Sequence, residues 1–269
     1  MLRLAALALG SIAALVVLER CRPLRTRNPA AEPRRIRRNL ALGALSLGVA
    51  GLIERPLAMR VACSVEARRL GLAQRLPTRA ARDLAAIAAL DYTIYVWHVL
   101  THRVPFLWRF HLVHHIDAEL SASTALRFHA GEMLLSVPYR LAQVRLLGVS
   151  PRALGWWQRF FFASVLFHHS NLRLPKRLEH PLAALFTTPR MHGIHHSQRP
   201  AERDSNWSSG LSLWDHLHGT FRLDVPQDEV PIGVPGHEAA EKRSVAASLR
   251  LPFGCDERVL RSVRFSKPL

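Results

Sequence analysis

Hydrophobic residues occur along this chain in long blocks separated by arginine-rich segments. Three blocks stand out, at Leu4–Leu18, Leu40–Ile53 and Leu84–Val99. A bilayer core needs about 20 apolar residues, or fewer where flanking side chains reach the headgroups. The pattern therefore predicts an all-α, multi-pass membrane protein, with these blocks as its first three membrane segments.

Two weaker apolar segments follow, Met133–Leu147 and Ala153–Phe167, with the tetrapeptide GVSP between them. Both contain arginine, so they predict either two further spans or a shallow re-entrant hairpin, which gives about three to five membrane segments in all. In both arrangements the chain returns to the face it left. After Pro226 we expect a basic, loop-like tail.

Arginine dominates the charge of the chain, which is +17 at neutral pH. Residues 20–38 hold eight arginines, which by the positive-inside rule places them in the cytoplasm and predicts an inner-membrane protein. Residues 54–82 hold seven more on the opposite side, so we expect an interfacial helix there. Since no nucleic-acid-binding motif accompanies this charge, we expect the arginines to contact lipid headgroups and the chain to bind no nucleic acid.

The same patterns divide the chain into an N-terminal anchor (1–83), a catalytic domain (84–225) and a C-terminal tail (226–269). The first block lacks the small residues of a cleavage site, so we interpret it as a retained anchor. Cys21, Cys63 and Cys255 lie far apart. This spacing excludes a thiolate metal site and a disulfide framework, so any metal must be held by nitrogen and oxygen ligands.

Histidine carries the candidate chemistry. The pattern HxxHH occurs twice in this chain, and an HxxxH pair precedes the first copy, which gives the residues His98, His102, His111, His114, His115, His192, His195 and His196. Residues i and i+3 or i+4 share a helix face, so the members of each motif can hold one ion together. Eight imidazoles are too many for one metal. Without thiolates they suit two borderline transition ions, with iron favoured if the chemistry involves oxygen.

Asp91 lies inside the third apolar block, two helical turns before His98. A carboxylate within a membrane segment is a functional candidate by default. Two roles are open for it: a partner that holds an imidazole in place, or a hydrogen bond that packs two helices together.

With these residues placed, the segment from about Asp91 to Phe221 resembles the fatty acid hydroxylase/sterol desaturase superfamily of integral-membrane di-iron oxygenases. DYTIYVWHVLTHRVPFLWRFHLVHH and TPRMHGIHHS resemble its three histidine boxes, and TALRFHAGE, FHHSNLRLP and SLWDHLHGTF are similar to its RxHPxE, FxHxNxxLP and SxWDxxFGT segments. The chain departs from the family at Ala130, His216 and His218, and by DSNWSS in place of NYG. We expect the cap departures, at His216, His218 and DSNWSS, to affect the substrate-facing cap and not the metal site.

The resemblance adds a ninth metal ligand, His169, to the eight histidines above. Its neighbour His168 is the competing choice, but Phe167 and Asn171 fix the register. The resemblance also implies supporting roles around the ligands, either beside the imidazoles or in helix packing and in the cap, for Asp91, His129, Glu132, His168, Asn171, Asn206, Trp214 and Asp215.

The family's activity implies two iron ions, O2 as co-substrate, and hydroxylation or desaturation of a lipid C–H bond near the cytoplasmic face. The chain contains no haem-binding HPGG, ferredoxin cysteine set or GxGxxG motif. We therefore expect a separate electron donor, such as a reductase, ferredoxin or cytochrome. The basic residues Arg173, Lys176, Arg177 and Arg190 are a candidate docking surface for it, with contact to lipid headgroups as the alternative role of each single arginine.

Two other classes remain open at this point. A zinc-dependent membrane lipid hydrolase needs about three histidines and an open water position, which leaves the other histidines unexplained. A non-catalytic metal-binding membrane protein, such as a carrier, favours ligands spread along several spans.

Overall fold

The computed structural model describes residues 2–237 and 244–254, and over these ranges the chain is helical, with loops and three isolated β-bridges. The predicted all-α membrane class is confirmed. The helices are α1 (Leu2–Cys21), α2 (Glu32–Val49), α3 (Arg55–Arg68), α4 (Arg79–Arg103), α5 (Pro105–His115), α6 (Ala130–Leu147), α7 (Pro151–His169), α8 (Lys176–Ala183), α9 (Pro189–His195), α10 (Pro200–Arg203), α11 (Leu213–Leu217) and α12 (Val245–Arg250).

The second apolar block belongs to a helix much longer than predicted. α2 continues through a π-helical turn, Ala50–Glu54, directly into α3. The interfacial position expected for 54–82 stays a prediction, and the first half of that segment, α3, buries a small apolar face against α6. Within the described residues, the stretches Glu32–Arg75 and Arg79–Arg103 are long and apolar enough to cross a membrane.

α4 is the helix that carries the first histidine pair. Thr78 caps its N-terminus by accepting a hydrogen bond from the amide of Ala81. The helix ends before Pro105, because the residue before a proline is driven out of the helical region, and Val104 is extended. The resulting turn into α5 brings the second histidine motif against the end of α4.

Both weaker apolar segments form complete helices, α6 and α7, which a short turn at 148–150 joins as a helical hairpin and which both pack against α3 and α4. The tip of this hairpin contacts the turn between α3 and α4. There, Gln74 Nε2 donates to the carbonyl of Gly148 (2.8 Å), and Ser150 Oγ donates to Asp83 Oδ1 (2.7 Å). The α6–α7 hairpin therefore reaches as deep into the bundle as the α3–α4 turn.

The start of α2 is attached to the histidine-bearing part of the chain by buried charges. Arg35 Nη1 lies 3.3 Å from Asp117 Oδ2, and Asn39 Nδ2 donates to the same oxygen at 2.8 Å. Burial alone would raise the pKa of Asp117, but the charges of Arg35 and Arg127 hold that pKa below its usual value. The expected headgroup contact is wrong for Arg35, because its guanidinium is buried within the protein.

The N-terminal helices and the tail share a core with the central region. Leu42 of α2 packs with Trp108 and Leu112 of α5, and Leu251 of the tail joins them. The tail is less loop-like than expected, since α12 lies within it. The remainder of the predicted tail, residues 238–243 and 255–269 with Cys255, lies outside the described residues.

Candidate metal centre

Nine histidine side chains meet where α4, α5, α7 and α9 end, and none of them is more than 8% exposed. Eight of the nine form two groups of four, each with its ligand nitrogens within 4.8 Å of one another. We call them group A (His98, His102, His115, His195) and group B (His114, His169, His192, His196).

The two HxxHH motifs each contribute to both groups. His192 and His196 share one face of α9 and belong to group B, as the spacing predicts, whereas His195 between them points to group A. On α5 the neighbours His114 and His115 separate in the same way, because adjacent helical residues point about 100° apart. One short motif therefore supplies side chains to both groups.

The nitrogens of group B converge directly. His169 Nε2 lies 3.0 Å from His114 Nε2 and 2.9 Å from His192 Nε2, and His192 Nε2 lies 3.1 Å from His196 Nε2. Nitrogens bound to a common ion at 2.0–2.1 Å stand roughly 3 Å apart. The geometry of group B thus fits a shared metal ion.

Group A fits a metal through its unpartnered nitrogens. Among the described residues, both ring nitrogens of His102 and of His115 are buried without a hydrogen-bond partner, as is Nε2 of His195. A buried polar atom left without a partner costs free energy. A metal ion is the natural partner for these three imidazoles, which group with His98.

His111 belongs to neither group. Its Nδ1 lies 2.8 Å from Glu132 Oε1, and its Nε2 is buried without a partner among the described residues. Its ring lies 4.9 Å from the rings of both His102 and His115. Glu132 therefore contacts one imidazole of the cluster, and His111 is available as a further ligand beside group A.

The loop 205–208 holds two imidazoles of group A from behind. His98 Nδ1 lies 2.7 Å from the carbonyl of Trp207, and His195 Nδ1 lies 2.9 Å from the carbonyl of Ser205. A hydrogen bond from Nδ1 to a carbonyl leaves Nε2 free for a metal. Sequence reasoning missed these contacts, because backbone carbonyls carry no side-chain signature.

Asp215 and Asn206 fix that loop in place. Asp215 accepts hydrogen bonds from the amides of Trp207 (2.8 Å) and Ser208 (3.1 Å). Asn206 has a positive φ of 52° and donates to the carbonyls of Met191 and Arg222. The DSNWSS departure therefore lies behind the metal site, and the expectation that it concerns only the substrate-facing cap is wrong.

Asp91 contacts no imidazole. Its Oδ2 accepts hydrogen bonds from Trp214 Nε1 (2.7 Å) and the amide of Leu211 (3.0 Å), which join α4 to the segment around α11. Of the two roles left open for Asp91, the structure shows the packing one. Gly210 is required beside it, since a Cβ at that position would overlap its carboxylate.

Three other predicted residues surround the centre. His129 caps α6 and lies 3.1 Å from the carbonyl of Leu249, so it has a packing role. His168 packs against His192 with the rings tilted and 4.1 Å between centroids but belongs to neither group, which favours His169 as the ligand. Asn171 exchanges hydrogen bonds with the backbone of Arg25 and so attaches the segment after α1 to the end of α7.

The histidines of α9 are held neutral. Burial, followed by the charge of the neighbouring imidazoles, lowers the pKa of His192, His195 and His196 well below the usual value. A neutral imidazole is the form that binds a metal.

A small cavity of about 80 Å³ lies against the histidines, among them His98, His111 and His169. Its remaining wall is largely apolar and includes Trp97, Phe128, Phe161 and Val165. The same four residues also line a second, larger cavity of about 830 Å³, so the two cavities adjoin at these apolar side chains.

Comparisons with known proteins agree with this geometry. Residues 84–220, which are 137 of the 269 residues, match the model of the family described as fatty acid hydroxylase. Ornithine lipid hydroxylase OlsE of Rhizobium tropici is 32% identical over 164 residues, covering 61% of this chain and 47% of that protein. No solved structure matches.

Two human proteins are also similar. Alkylglycerol monooxygenase is 26% identical over 140 residues, covering 52% of this chain and 30% of that protein. Cholesterol 25-hydroxylase is 26% identical over 147 residues, covering 52% of this chain and 50% of that protein. The chain spans about half or less of the length of each of these relatives. Because the family match covers half of the chain and contains every histidine of groups A and B, the chain belongs to the fatty acid hydroxylase family.

Proposed function

We propose that this protein is a membrane di-iron oxygenase that hydroxylates a lipid C–H bond with O2 and electrons from a separate donor. The observation that carries the proposal is the small cavity, which is lined by histidines of both groups and by a largely apolar wall. A lipid chain that reaches this cavity ends beside both groups.

The protein's own residues position and protect the reacting carbon. The apolar wall of Trp97, Phe128, Phe161 and Val165 excludes water and confines the chain. The loop 205–208 fixes the imidazoles of His98 and His195 before substrate arrives. Two iron ions, held by groups A and B with His111 as the ninth ligand, would supply reductive activation of O2 and hydrogen removal from an unactivated carbon.

The names of the relatives favour hydroxylation over desaturation. The three relatives described above are named as hydroxylases or a monooxygenase, and their names refer to an ornithine lipid, an alkylglycerol and cholesterol. The proposed substrate is accordingly a membrane lipid.

We place the α2–α3 helix, α4, α6 and α7 across the inner membrane, with α1 as an anchor and the histidines at the cytoplasmic side. The depth of the α6–α7 hairpin supports two full spans rather than a shallow re-entrant hairpin. The arginines at the start of α2 support the orientation, since they lie at the same end of the bundle as Asp117 and the histidine groups. In this arrangement 84–225 remains the proposed catalytic domain, with 1–83 packed on it and 226–269 as its tail.

The electron donor is proposed to dock beside α8. Of the four basic residues expected there, Arg173 and Arg190 donate hydrogen bonds to backbone carbonyls of the protein. Lys176 and Arg177 are exposed. These two side chains are therefore the ones that support attraction of an acidic carrier.

Metal content tests the proposal first. Detergent-purified parent protein is expected to hold close to two irons per chain, and His195→Ala to lose metal. His180→Ala is the matched control, because His180 is exposed on α8 and belongs to neither group. Incubation of the parent with native lipids and ¹⁸O2 should then give lipid products heavier by one labelled oxygen.

The alternatives predict different results in the same experiment. One zinc per chain that survives His195→Ala, with lipid cleavage that needs no O2, would establish the hydrolase. Bound metal without any O2-dependent or hydrolytic product would indicate a metal-binding protein without activity.

A further inference from the structure

The larger cavity, which we call the chamber, contains one buried ion pair in a largely apolar wall. It is bounded by the α2–α3 helix, α4, α6 and α7, and has a volume of about 830 Å³. Glu54 and Arg140 both line it, and Arg140 Nε lies 3.3 Å from Glu54 Oε1. Their side chains are only 14% and 7% exposed.

Neighbouring side chains fix the position of this pair. Arg140 Nη1 donates to Gln143 Oε1 (2.6 Å), and the guanidinium lies 4.5 Å from the ring centroid of Trp157. Ser136 Oγ, which donates to the carbonyl of Met133 at 2.8 Å, lies 3.3 Å from Glu54 Oε2. Arg140 is therefore held in one orientation beside Glu54 rather than free to turn.

Such a pair is costly in this setting. Taking two charges from water into a membrane protein is repaid only when both are well paired, and apolar residues of similar size are often equally stable. One ion pair at 3.3 Å gives little reason to retain it for stability alone. Ionisable pairs within membrane segments most often serve a ligand or a transported species.

The backbone around Glu54 supports a binding role. Glu54 is the last residue of the π-helical turn that joins α2 to α3. A π-turn adds a residue to the helix and is frequent at functional sites. Here it lies at the chamber, where Ala50 and Gly51 also form part of the wall.

The unused hydrogen-bonding capacity indicates which group would bind. Within the part of the chain that the structure describes, Nη2 of Arg140 has no hydrogen-bond partner, and Arg140 lines the chamber. The adjacent Glu54 carboxylate accepts hydrogen bonds. A hydroxyl oxygen is both donor and acceptor at one atom, so it matches a donor and an acceptor side by side. In a trans secondary amide the N–H and C=O point in opposite directions, so it matches them less well.

We propose that Glu54 and Arg140 bind a hydroxyl group of the lipid substrate inside the chamber. The substrate class is then a lipid alcohol whose apolar chain runs past Trp97 and Phe161 to the histidines. The inference rests on the proposed function for the nature of the ligand as a lipid.

This position would also set which carbon is oxidised. Arg140 and Glu132 are eight residues apart on α6, which is about 12 Å along the helix. Glu132 contacts His111 at the centre. A hydroxyl held at Arg140 therefore fixes a carbon about that distance further along the chain beside the metal site.

The first test compares three probes of one chain length, 1-octadecanol, its methyl ether and octadecane. Equilibrium binding is measured to the metal-loaded protein in nanodiscs under argon, so that no turnover occurs. The alcohol is expected to bind at least about tenfold tighter than the ether, which accepts but cannot donate a hydrogen bond. Equal affinities for alcohol and ether in the parent protein would overturn the proposal.

Variants of the pair make the test specific. Glu54→Leu combined with Arg140→Leu should remove the preference for the alcohol and leave octadecane binding unchanged. Arg222→Gln with Asp224→Asn is the matched control, since this pair has the same 3.3 Å separation but lies outside the chamber lining. If the double variant fails to fold, Glu54→Gln replaces it in the test, because this change keeps the shape of the side chain. It should reduce the preference for the alcohol over the ether to a few-fold. An unchanged preference in a folded variant of the pair would also overturn the proposal.

Turnover in air separates this inference from the proposed function. If both hold, the double variant should oxidise the alcohol at several carbons, where the parent oxidises one or two. A preference for the alcohol that depends on the pair, without any O2-dependent product, would keep the inference and remove the proposed function. O2-dependent oxygenation of a lipid by a protein that binds all three probes with equal affinity would keep the proposed function and remove the inference.

Discussion

Groups A and B present four imidazoles each, but they differ in what holds the imidazoles from behind. In group A, His98 and His195 contact the carbonyls of a distant loop, 205–208. In group B the corresponding contact is local, from His169 Nδ1 to the carbonyl of Val165 one turn earlier in α7. Group A depends on a loop, whereas group B depends on the packing of α5, α7 and α9.

Because of this difference, we expect different substitutions to weaken the two groups, although both are built from the same motifs. The loop behind group A is anchored by Asp215, which also accepts a hydrogen bond from Thr220 Oγ1 at 2.7 Å. Group A is therefore expected to weaken when that anchor is changed, with every histidine intact. Group B is expected to weaken when a ligand or its helix is changed.

Loss of a ligand from either group should have the largest effect. We expect His102→Ala and His192→Ala each to lose about one metal per chain, from group A and group B respectively. Activity should fall by more than 100-fold in both, because even partners outside the ligands contribute 10–100-fold. Metal analysis and product formation measure this, and loss of both metals from either variant would show that the groups do not fill separately.

Loss of the loop anchor should have an intermediate effect confined to group A. Asp215→Ala removes the acceptor for the amides of Trp207 and Ser208, so His98 is less well oriented. We expect metal affinity to fall about 10–100-fold at one site and to stay within twofold at the other. A metal titration measures both sites. Asp224→Ala is the control, since that carboxylate is 79% exposed, and equal weakening of both sites would contradict the comparison.

The last expected effect is that of acid on the stability of the metal-free protein. Burial lowers the pKa of His192, His195 and His196 in the folded state, so below the unfolded-state pKa of about 6.5 the unfolded chain binds more protons. Stability is therefore present above that pH and falls as pH decreases, by up to about 1.4 kcal/mol per pH unit for each histidine.

Thermal unfolding of the metal-free protein at pH 8 and pH 6 measures this loss. His195→Gln should show a smaller difference between the two pH values than the parent, since one of the buried imidazoles is absent. A thermal unfolding midpoint of the parent protein that is equal at the two pH values, or higher at pH 6, would contradict the expected loss of stability in acid.

Much of the fold follows from the hydrophobic pattern. The blocks predict the helices because apolar length is encoded locally, and the pairing of His98 with His102 follows from helical spacing. The depth of the α6–α7 hairpin does not follow, because it is set by contacts such as Ser150 with Asp83, 67 residues apart. Local patterns carry no information about such distances.

The centre shows the same division between local and distant information. Spacing predicts that His192 and His196 act together. Spacing does not predict that His111 lies outside both groups. That depends on its contact with Glu132 of α6, 21 residues further along the chain. Gly193 in the third histidine motif is another case, because a Cβ there would overlap the guanidinium of the buried Arg25, which donates to the carbonyl of Pro189.

The attachment of α2 to Asp117 bears on how the protein is made. Arg35 is synthesised 82 residues before its partner, which at roughly 5–20 residues per second is a delay of roughly 4 to 16 s. During that interval its guanidinium is an uncompensated charge flanking a newly inserted apolar helix, the feature by which orientation is decided. We therefore expect the same arginine to act first as an orientation signal during insertion. Once Asp117 has been synthesised, it forms a buried ion pair that attaches α2 to the rest of the protein.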